Sequence, residues 1–316
     1  MIGFLVRRFI QAVIVVLGVL IIVFALAHFV PGGEARAVLG TKATTAKVHA
    51  FNVLNGLNLP WWDQFYQYLL RLGHGKLGYS YSYNQTVSSL ISDKLPKTLV
   101  LVGVSTLLAL IVSIPLGILQ VVRRNKPVDY VLTGLTFIFY AMPAFLLGTL
   151  LILYFAIDIK LFPVGLSQSQ TVGDILRDPR ALVLPVLSLA ALTVAAFSRY
   201  MRSSMMEAMT EDYVRTARAK GAGPRRVLYG HALRNALIPI LTLLGLSIPA
   251  IVSGAVITET VFNYPGMGFL TVEAAGKTDI PVLLGTTLVA TIATVVGSLL
   301  ADVLYAVADP RIRYAR

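Results

Sequence analysis

The chain has 316 residues, 56% of them hydrophobic and only 13% charged, about half the charged fraction of a soluble domain. It contains no cysteine, which excludes disulfides, thiol nucleophiles and Cys-ligated zinc or iron–sulfur clusters, and its four histidines, His28, His49, His74 and His231, lack HExxH-type spacing. The net charge of +12 comes without any DNA- or RNA-binding motif, so the sequence predicts a chain mostly in lipid and no nucleic-acid partner.

A bilayer-crossing helix needs about 20 mostly apolar residues. Six stretches have that character: residues 9–30, 98–122, 131–157, 181–198, 236–258 and 281–307. They predict an all-α membrane protein with six transmembrane helices and no internal repeat or flexible linker. Its parts are an N-terminus and first helix (1–30), an extended outer segment (31–97), and a five-helix core (98–316) that includes a cytoplasmic loop at 199–235.

The first stretch follows Arg7 and Arg8 and holds Ala25, Leu26 and Ala27, which is also the form of a cleavable signal peptide. Its length and the five spans behind it favour an uncleaved helix. In the outer segment, Trp61, Trp62, Phe65, Tyr66 and Tyr68 recur at helical spacing beside Leu69 and Leu70. Such a helix can lie at the membrane interface as an aromatic belt, or dock an external partner, and the two roles are compatible.

With the N-terminus cytoplasmic, sixteen of the 27 lysines and arginines fall on inner segments, while nine of the 15 acids fall outside. That is the positive-inside pattern, and with six spans it places both termini in the cytoplasm. The spans themselves hold almost no ionisable group: His28 lies near the outer end of the first and Asp302 near the inner end of the last. A proton- or ion-coupled transporter usually needs such groups at mid-membrane, and a membrane hydrolase needs a nucleophile beside a base. The spans carry helix breakers and small residues instead, at Pro115, Gly117, Pro143, Gly148, Pro185, Pro239, Gly245, Pro249 and Gly254. Gly245, Pro249 and Ser253 share one face, suited either to close helix packing or to lining a pathway. Any energy for transport has to enter from outside the bundle.

The inner loop shows where. Met206, Met209, Tyr213, Ala217 and Lys220 follow 3- and 4-residue steps and form one helical face, with Arg215 and Arg218 on another. Gly221-Ala222-Gly223-Pro224 then stops the helix, and Pro224 suits the first turn of the next. That second helix carries Arg225, Arg226 and Arg234 into the fifth span. The segment reads either as an amphipathic loop on the membrane surface with snorkelling arginines, or as a docking element for a soluble protein that drives the spans.

The stretch DYVRTARAKG, residues 212–221, resembles the EAA loop in the permease subunits of bacterial ABC importers for peptides and nickel. HFVPGGEARAVLG (28–40), GKLGYSYSYNQTVSSLISDKLPKTL (75–99), ETVFNYPGMG (259–268) and DPRIRY (309–314) are similar to that family's other motifs and occur in the right order. The chain departs from the general EAA pattern at Arg215 and Thr216; only Ala217 and Gly221 match, and Pro239 lies further from the glycine.

The resemblance implies a type I ABC importer permease fold in the bacterial cytoplasmic (inner) membrane, working by alternating access. It implies a second homologous permease subunit, two ATPase subunits and an extracytoplasmic substrate-binding protein as partners, alongside membrane lipid. The chain would do no catalysis and hold no cofactor; ATP and Mg would be bound by the ATPases. Tyr213, Val214, Arg215, Thr216, Ala217, Arg218, Ala219, Lys220 and Gly221 would form the coupling helix. In it Tyr213 would fill an ATPase pocket, Ala217 and Gly221 would allow close approach, and Arg215 and Arg218 would pair with acids. Dipeptide, oligopeptide, glutathione and nickel systems share these motifs, and no span residue marks the cargo. The alternative is an ion-coupled secondary transporter or a channel; a membrane-embedded enzyme is a third reading.

Overall fold

The computed structural model describes residues 2–29, 33–40, 42–253 and 255–308, with side chains for all of these except 2–6, 37, 248–253 and 300–308. The side chains of Pro249, Ser253 and Asp302, all of Gly254, and the motif at 309–314 therefore lie outside the described residues.

The first long helix is α1 (Ile2–His28). The segment expected to lie outside then folds into α2 (Gly33–Leu39), α3 (Thr45–Leu54) and α4 (Trp61–Gly73); inner and outer name the two ends by that expected topology. A short antiparallel hairpin follows, β1 (Tyr79–Ser80) with β2 (Gln85–Thr86), Tyr79 pairing Thr86 and Ser80 pairing Gln85. Asn84 takes a positive φ of 52° to turn it, a conformation that asparagine tolerates better than most residues. This hairpin is the one departure from an all-helical chain among the described residues.

Next come α5 (Val87–Val122), α6 (Pro127–Ala141), α7 (Ala144–Leu151), a π-helical run at Ile152–Asp158, α8 (Val172–Arg177) and α9 (Arg180–Ala208). The inner loop contributes α10 (Asp212–Ala219) and a second π-helical run at Arg226–Ala232, which leads into α11 (Leu233–Ser253). The chain closes with α12 (Val256–Val261), α13 (Met267–Gly276) and α14 (Ile280–Ala308).

Five helices are each long and apolar enough to cross a membrane, and α6 with α7 and its π-helical run makes a sixth span bent by 102°. The sequence predicts one span at 131–157 that carries breakers at Pro143 and Gly148. The break has a local cause: Met142 precedes Pro143 and sits at φ −75°, ψ 128°, because a following proline disfavours the helical region. The fifth expected span, 236–258, is likewise interrupted, with α11 ending at Ser253 and α12 starting at Val256.

At 36 residues, α5 is about 54 Å long and overshoots the hydrocarbon layer. Thr86 caps it, its hydroxyl accepting from Ser89 N at 3.3 Å. In the core, α5 lies against α9, and α14 against both α1 and α11. The α5–α9 contact is close because residue 117 is glycine: a Cβ there would stand 2.6 Å from the Met201 Cβ. Around it Ile118, Met201, Met205, Ala208, Ala236 and Ile240 form one buried cluster. Large apolar side chains elsewhere stay exposed, among them Phe9 and Ile14 on α1 and Tyr130, Phe137 and Ile138 on α6. An aqueous surface would not carry such apolar faces; lipid or a second subunit covers them.

The two ends of the bundle differ. At one end the basic connections 123–126 and 199–235 meet, since Asp129 at the start of α6 reaches Arg202 on α9. At the other, Ser80 of the hairpin bonds Asp279 before α14, and Gln168 Nε2 donates to Asn263 O at 3.1 Å. The outer aromatic helix α4 divides its faces. Phe65 and Tyr68 pack on Phe24 of α1, while Trp61, Trp62 and Tyr66 remain exposed.

Replacing Gly117 by leucine is expected to overpack the α5–α9 contact and cost about 1–3 kcal/mol. Thermal unfolding of the purified chain in detergent checks this. Gly134→Leu is the matched control, because a Cβ at Gly134 meets nothing within 4 Å; it should leave the midpoint unchanged.

Candidate functional site

The inner bend is built by local rules. Glu211 is extended at φ −66°, ψ 151°, and precedes α10. Asp212 occupies the first turn and Arg218 the last, each at the end where the helix dipole favours its charge. At the C-terminus Gly221 N donates to Arg218 O at 2.9 Å and Ala222 N to Ala217 O at 3.0 Å. This is the Schellman pattern, and it needs a left-handed residue just past the helix. Gly221 supplies it, at φ +81°. Pro224 then starts the next helix, with Val227 N donating to Gly223 O at 3.0 Å.

Burial sorts the nine residues singled out from the sequence. Val214 and Ala217 are buried against Met205, Ala208 and Val227 in the bundle's own cluster, and Tyr213 packs on its edge. The Tyr213 hydroxyl is covered and has no hydrogen-bond partner among the described residues. Arg215, Thr216, Arg218, Ala219, Lys220 and Gly221 are exposed. Of the face expected from Met206, Met209, Tyr213, Ala217 and Lys220, the middle three pack on the bundle's own cluster, toward α9 and the π-helical run at Arg226–Ala232, whereas Lys220 is exposed. The outward surface is cationic, and Arg225 and Arg226 extend it. The Arg215–Asp212 pair, 3.4 Å apart and exposed on both sides, adds little to stability.

Just above the bend lies a polar joint that sequence reasoning missed. Asp129 is only 2% exposed. It accepts from Arg202 Nε at 3.2 Å and from Arg202 Nη2 at 3.0 Å. Its carboxylate also accepts from Asn125 N at 3.2 Å and from the Thr133 hydroxyl at 3.4 Å. Thr133 in turn accepts from Gln120 Nε2 at 3.2 Å. A two-pronged guanidinium–carboxylate contact fixes orientation as well as distance. It ties the inner ends of α5, α6 and α9 together, directly beside the Gly117–Met201 contact. Only Met209, Thr210 and Glu211 separate α9 from α10. The acid early in α6 was the sole local signal; nothing in the sequence links position 129 to 202.

The motif ETVFNYPGMG closes the other end. Glu259 is fully buried and accepts from the Thr98 hydroxyl at 2.8 Å and from Phe269 N at 3.0 Å. Met267 N donates to the same Thr98 oxygen at 2.8 Å, and the Tyr264 hydroxyl donates to Lys97 O at 2.7 Å. Burial pushes the Glu259 carboxyl up, and the donors from Phe269 and Thr98 pull the other way. A side chain on Gly266 would collide with the Glu259 carboxyl, and one on Gly268 would come 2.7 Å from Val256 Cα. The segment expected as an outer loop is thus a packed bracket joining α12, α13 and the outer part of α5. Among the described residues no three His, Asp or Glu side chains converge as a metal set.

Comparison with known proteins agrees with this geometry. Residues 113–314 match the family described as the binding-protein-dependent transport system inner membrane component. Residues 1–102 match the N-terminal family of the same systems' membrane components. The chain belongs to the inner membrane components of binding-protein-dependent transport systems, with the type I ABC permease fold; it is a multi-pass transport subunit.

Individual relatives cover it end to end. The Oligopeptide transport system permease protein AppB of Bacillus subtilis is 39% identical over 99% of this chain and 100% of its own length. The Dipeptide transport system permease protein DppB of Escherichia coli is 32% identical, with 100% of both chains covered. The Di/tripeptide transport system permease protein DppB of Pseudomonas aeruginosa is 34% identical over 100% of both.

Arg202→Ala is expected to leave the Asp129 carboxylate buried without its cation, at a cost of about 3 kcal/mol. Arg202→Lys, which keeps the charge but loses the fork, should cost less. Melting curves of the three proteins in one detergent check the order; equal stability of wild type and Arg202→Ala would show that the joint carries no load.

Proposed function

We propose that this chain is the permease subunit of an ATP-driven importer that moves di- or oligopeptides across the bacterial cytoplasmic membrane. The peptide class rests on the relatives, which are oligopeptide, dipeptide and di/tripeptide permeases. The mechanism rests on one observation: a cationic bend, exposed on its outer face and anchored by Val214 and Ala217, hangs from a joint that ties three helices together.

In this reading α10 docks on a partner ATPase, one ATPase for each of two homologous permeases. Arg215, Arg218 and Lys220 face acids on the ATPase, and Thr216, Ala219 and Gly221 let its backbone approach. Tyr213, Val214 and Ala217 hold α10 to its own bundle. The ATPases bind ATP and Mg; the permease performs no chemistry. ATP binding draws the two ATPases together and biases the spans between inward- and outward-facing states. The Asp129–Arg202 joint passes the displacement of α10 to α5, α6 and α9. At the outer end an extracytoplasmic binding protein delivers cargo, and both termini lie in the cytoplasm. An ion-driven transporter would need a proton- or ion-carrying group in the spans, and family membership argues against that alternative.

Gly221→Asp tests the coupling role. A Cβ at Gly221 meets nothing within 4 Å, so the folded chain loses only about 1 kcal/mol to the left-handed backbone. Membrane insertion should be normal. A carboxylate facing an acidic docking surface should cut peptide uptake at least tenfold, with ATP hydrolysis no longer tied to transport. Normal ATP-dependent uptake in this variant would contradict the assignment.

A further inference from the structure

A cavity of about 170 Å³ opens at the outer end, away from the bend, the joint and the bracket, between α1, α2, α4, the hairpin and the start of α14. That is room for several waters or one small polar molecule. Part of its wall is apolar, from Phe24, Pro281 and Leu284; the polar part includes Glu34, Tyr68 and Arg71.

Among the described residues these three polar groups are all left without a close partner. Tyr68 is 5% exposed, yet its covered hydroxyl makes no hydrogen bond among the described residues. Buried hydroxyls are nearly always paired, so this one points to something that occupies the cavity. Glu34 and Arg71 form no ion pair or side-chain hydrogen bond among the described residues. Arg71 is near enough to lower the pKa of both Glu34 and Tyr68 through its charge, but it closes on neither. Burial pushes the Glu34 carboxyl up to about 7, and the neighbouring Asp279 adds to the rise. Asp279 itself is occupied, by the Ser80 hydroxyl and by Val282 N. Lys76 and His28 also border the space.

An acid and a base held apart across one small cavity match a ligand that carries both charges. A simple cation would leave Arg71 unused, and a simple anion would leave Glu34 without a partner. We propose that this outer cavity binds a compact zwitterion, with a primary ammonium on Glu34, an anionic oxygen on Arg71 and the Tyr68 hydroxyl bonding between them. Two sources carry that chemistry. One is a short peptide, which rests on the function proposed above. The other is an aminophospholipid headgroup, since α1 and α14 both border the cavity.

The test uses the intact importer in nanodiscs of phosphatidylglycerol alone, without nucleotide or binding protein, and L-alanyl-L-alanine followed by saturation-transfer NMR. Dialanine should bind. N-acetylation, C-terminal amidation, Glu34→Gln and Arg71→Gln should each weaken it at least tenfold; the two blocked ligands need no mutation and so cannot fail through misfolding. Tyr68→Phe should weaken it by a smaller factor. The ammonium needs an ionised partner, so affinity should rise between pH 6 and 7.5 as Glu34 loses its proton. Phosphatidylethanolamine added to the discs separates the sources: displacement of dialanine assigns the site to the headgroup, and unchanged binding assigns it to free peptide.

Equal binding of blocked and free dialanine, or no effect of Glu34→Gln, would overturn the proposal. ATP-driven peptide uptake is measured on the same complex. Uptake that proceeds while Glu34→Gln leaves binding unchanged sinks this site alone. Absence of uptake sinks the transport reading, and the binding arms still decide the cavity.

Discussion

Asp129 and Arg202 pair where two helices leave the apolar bundle, with the carboxylate almost fully covered and the guanidinium partly exposed. Removing Arg202 strands the covered carboxylate without its cation, which costs more than losing a surface pair. The pair therefore keeps the inner ends of α6 and α9 in one orientation. Gly117 brings α5 into the same body by letting it touch Met201. Because α10 follows α9 after only three residues, the inner end of the bundle behaves as a handle attached to three spans.

The outer end is stiffened by a different device. There a single buried carboxylate, Glu259, collects donors from Thr98 and from the main chain of Phe269. No cation is involved, and glycines at 266 and 268 let the backbone close around the acid. Both polar networks sit at the ends of the bundle. Between them, among the described residues, the spans pack through apolar and small residues with scattered serines and threonines, which suits rigid bodies that tilt against one another. In the proposed mechanism the energy that tilts them arrives through the handle.

Much of this could be read along the chain, and the rest could not, for a physical reason. Apolar run length is a local property, and it located five membrane-crossing helices and the bent pair that makes a sixth span. The helix stop at Gly221 was legible because a left-handed C-terminal position favours glycine over other residues. Periodicity also identified a face containing Tyr213 and Ala217, but it cannot tell an anchoring face from a docking face. The structure turns that face inward and leaves the arginines outside. Pro143 was legible as a breaker, but the apolar residues that run up to it and on from it hid how far the chain bends there. The Asp129–Arg202 and Thr98–Glu259 contacts join residues 73 and 161 positions apart, and no local pattern encodes such pairings.

The central claim is that a foreign nucleotide-hydrolysing subunit grips the cationic face of α10. The natural chain has no cysteine, so a single Arg218→Cys carries the only thiol and can be fitted with a photoreactive benzophenone. Irradiation of native membranes should yield one dominant adduct, an ATP-binding subunit, with a yield that changes when ATP is added. Adducts to lipid alone, with the same probe at an exposed outer position such as Trp62→Cys giving an equivalent result, would contradict the account.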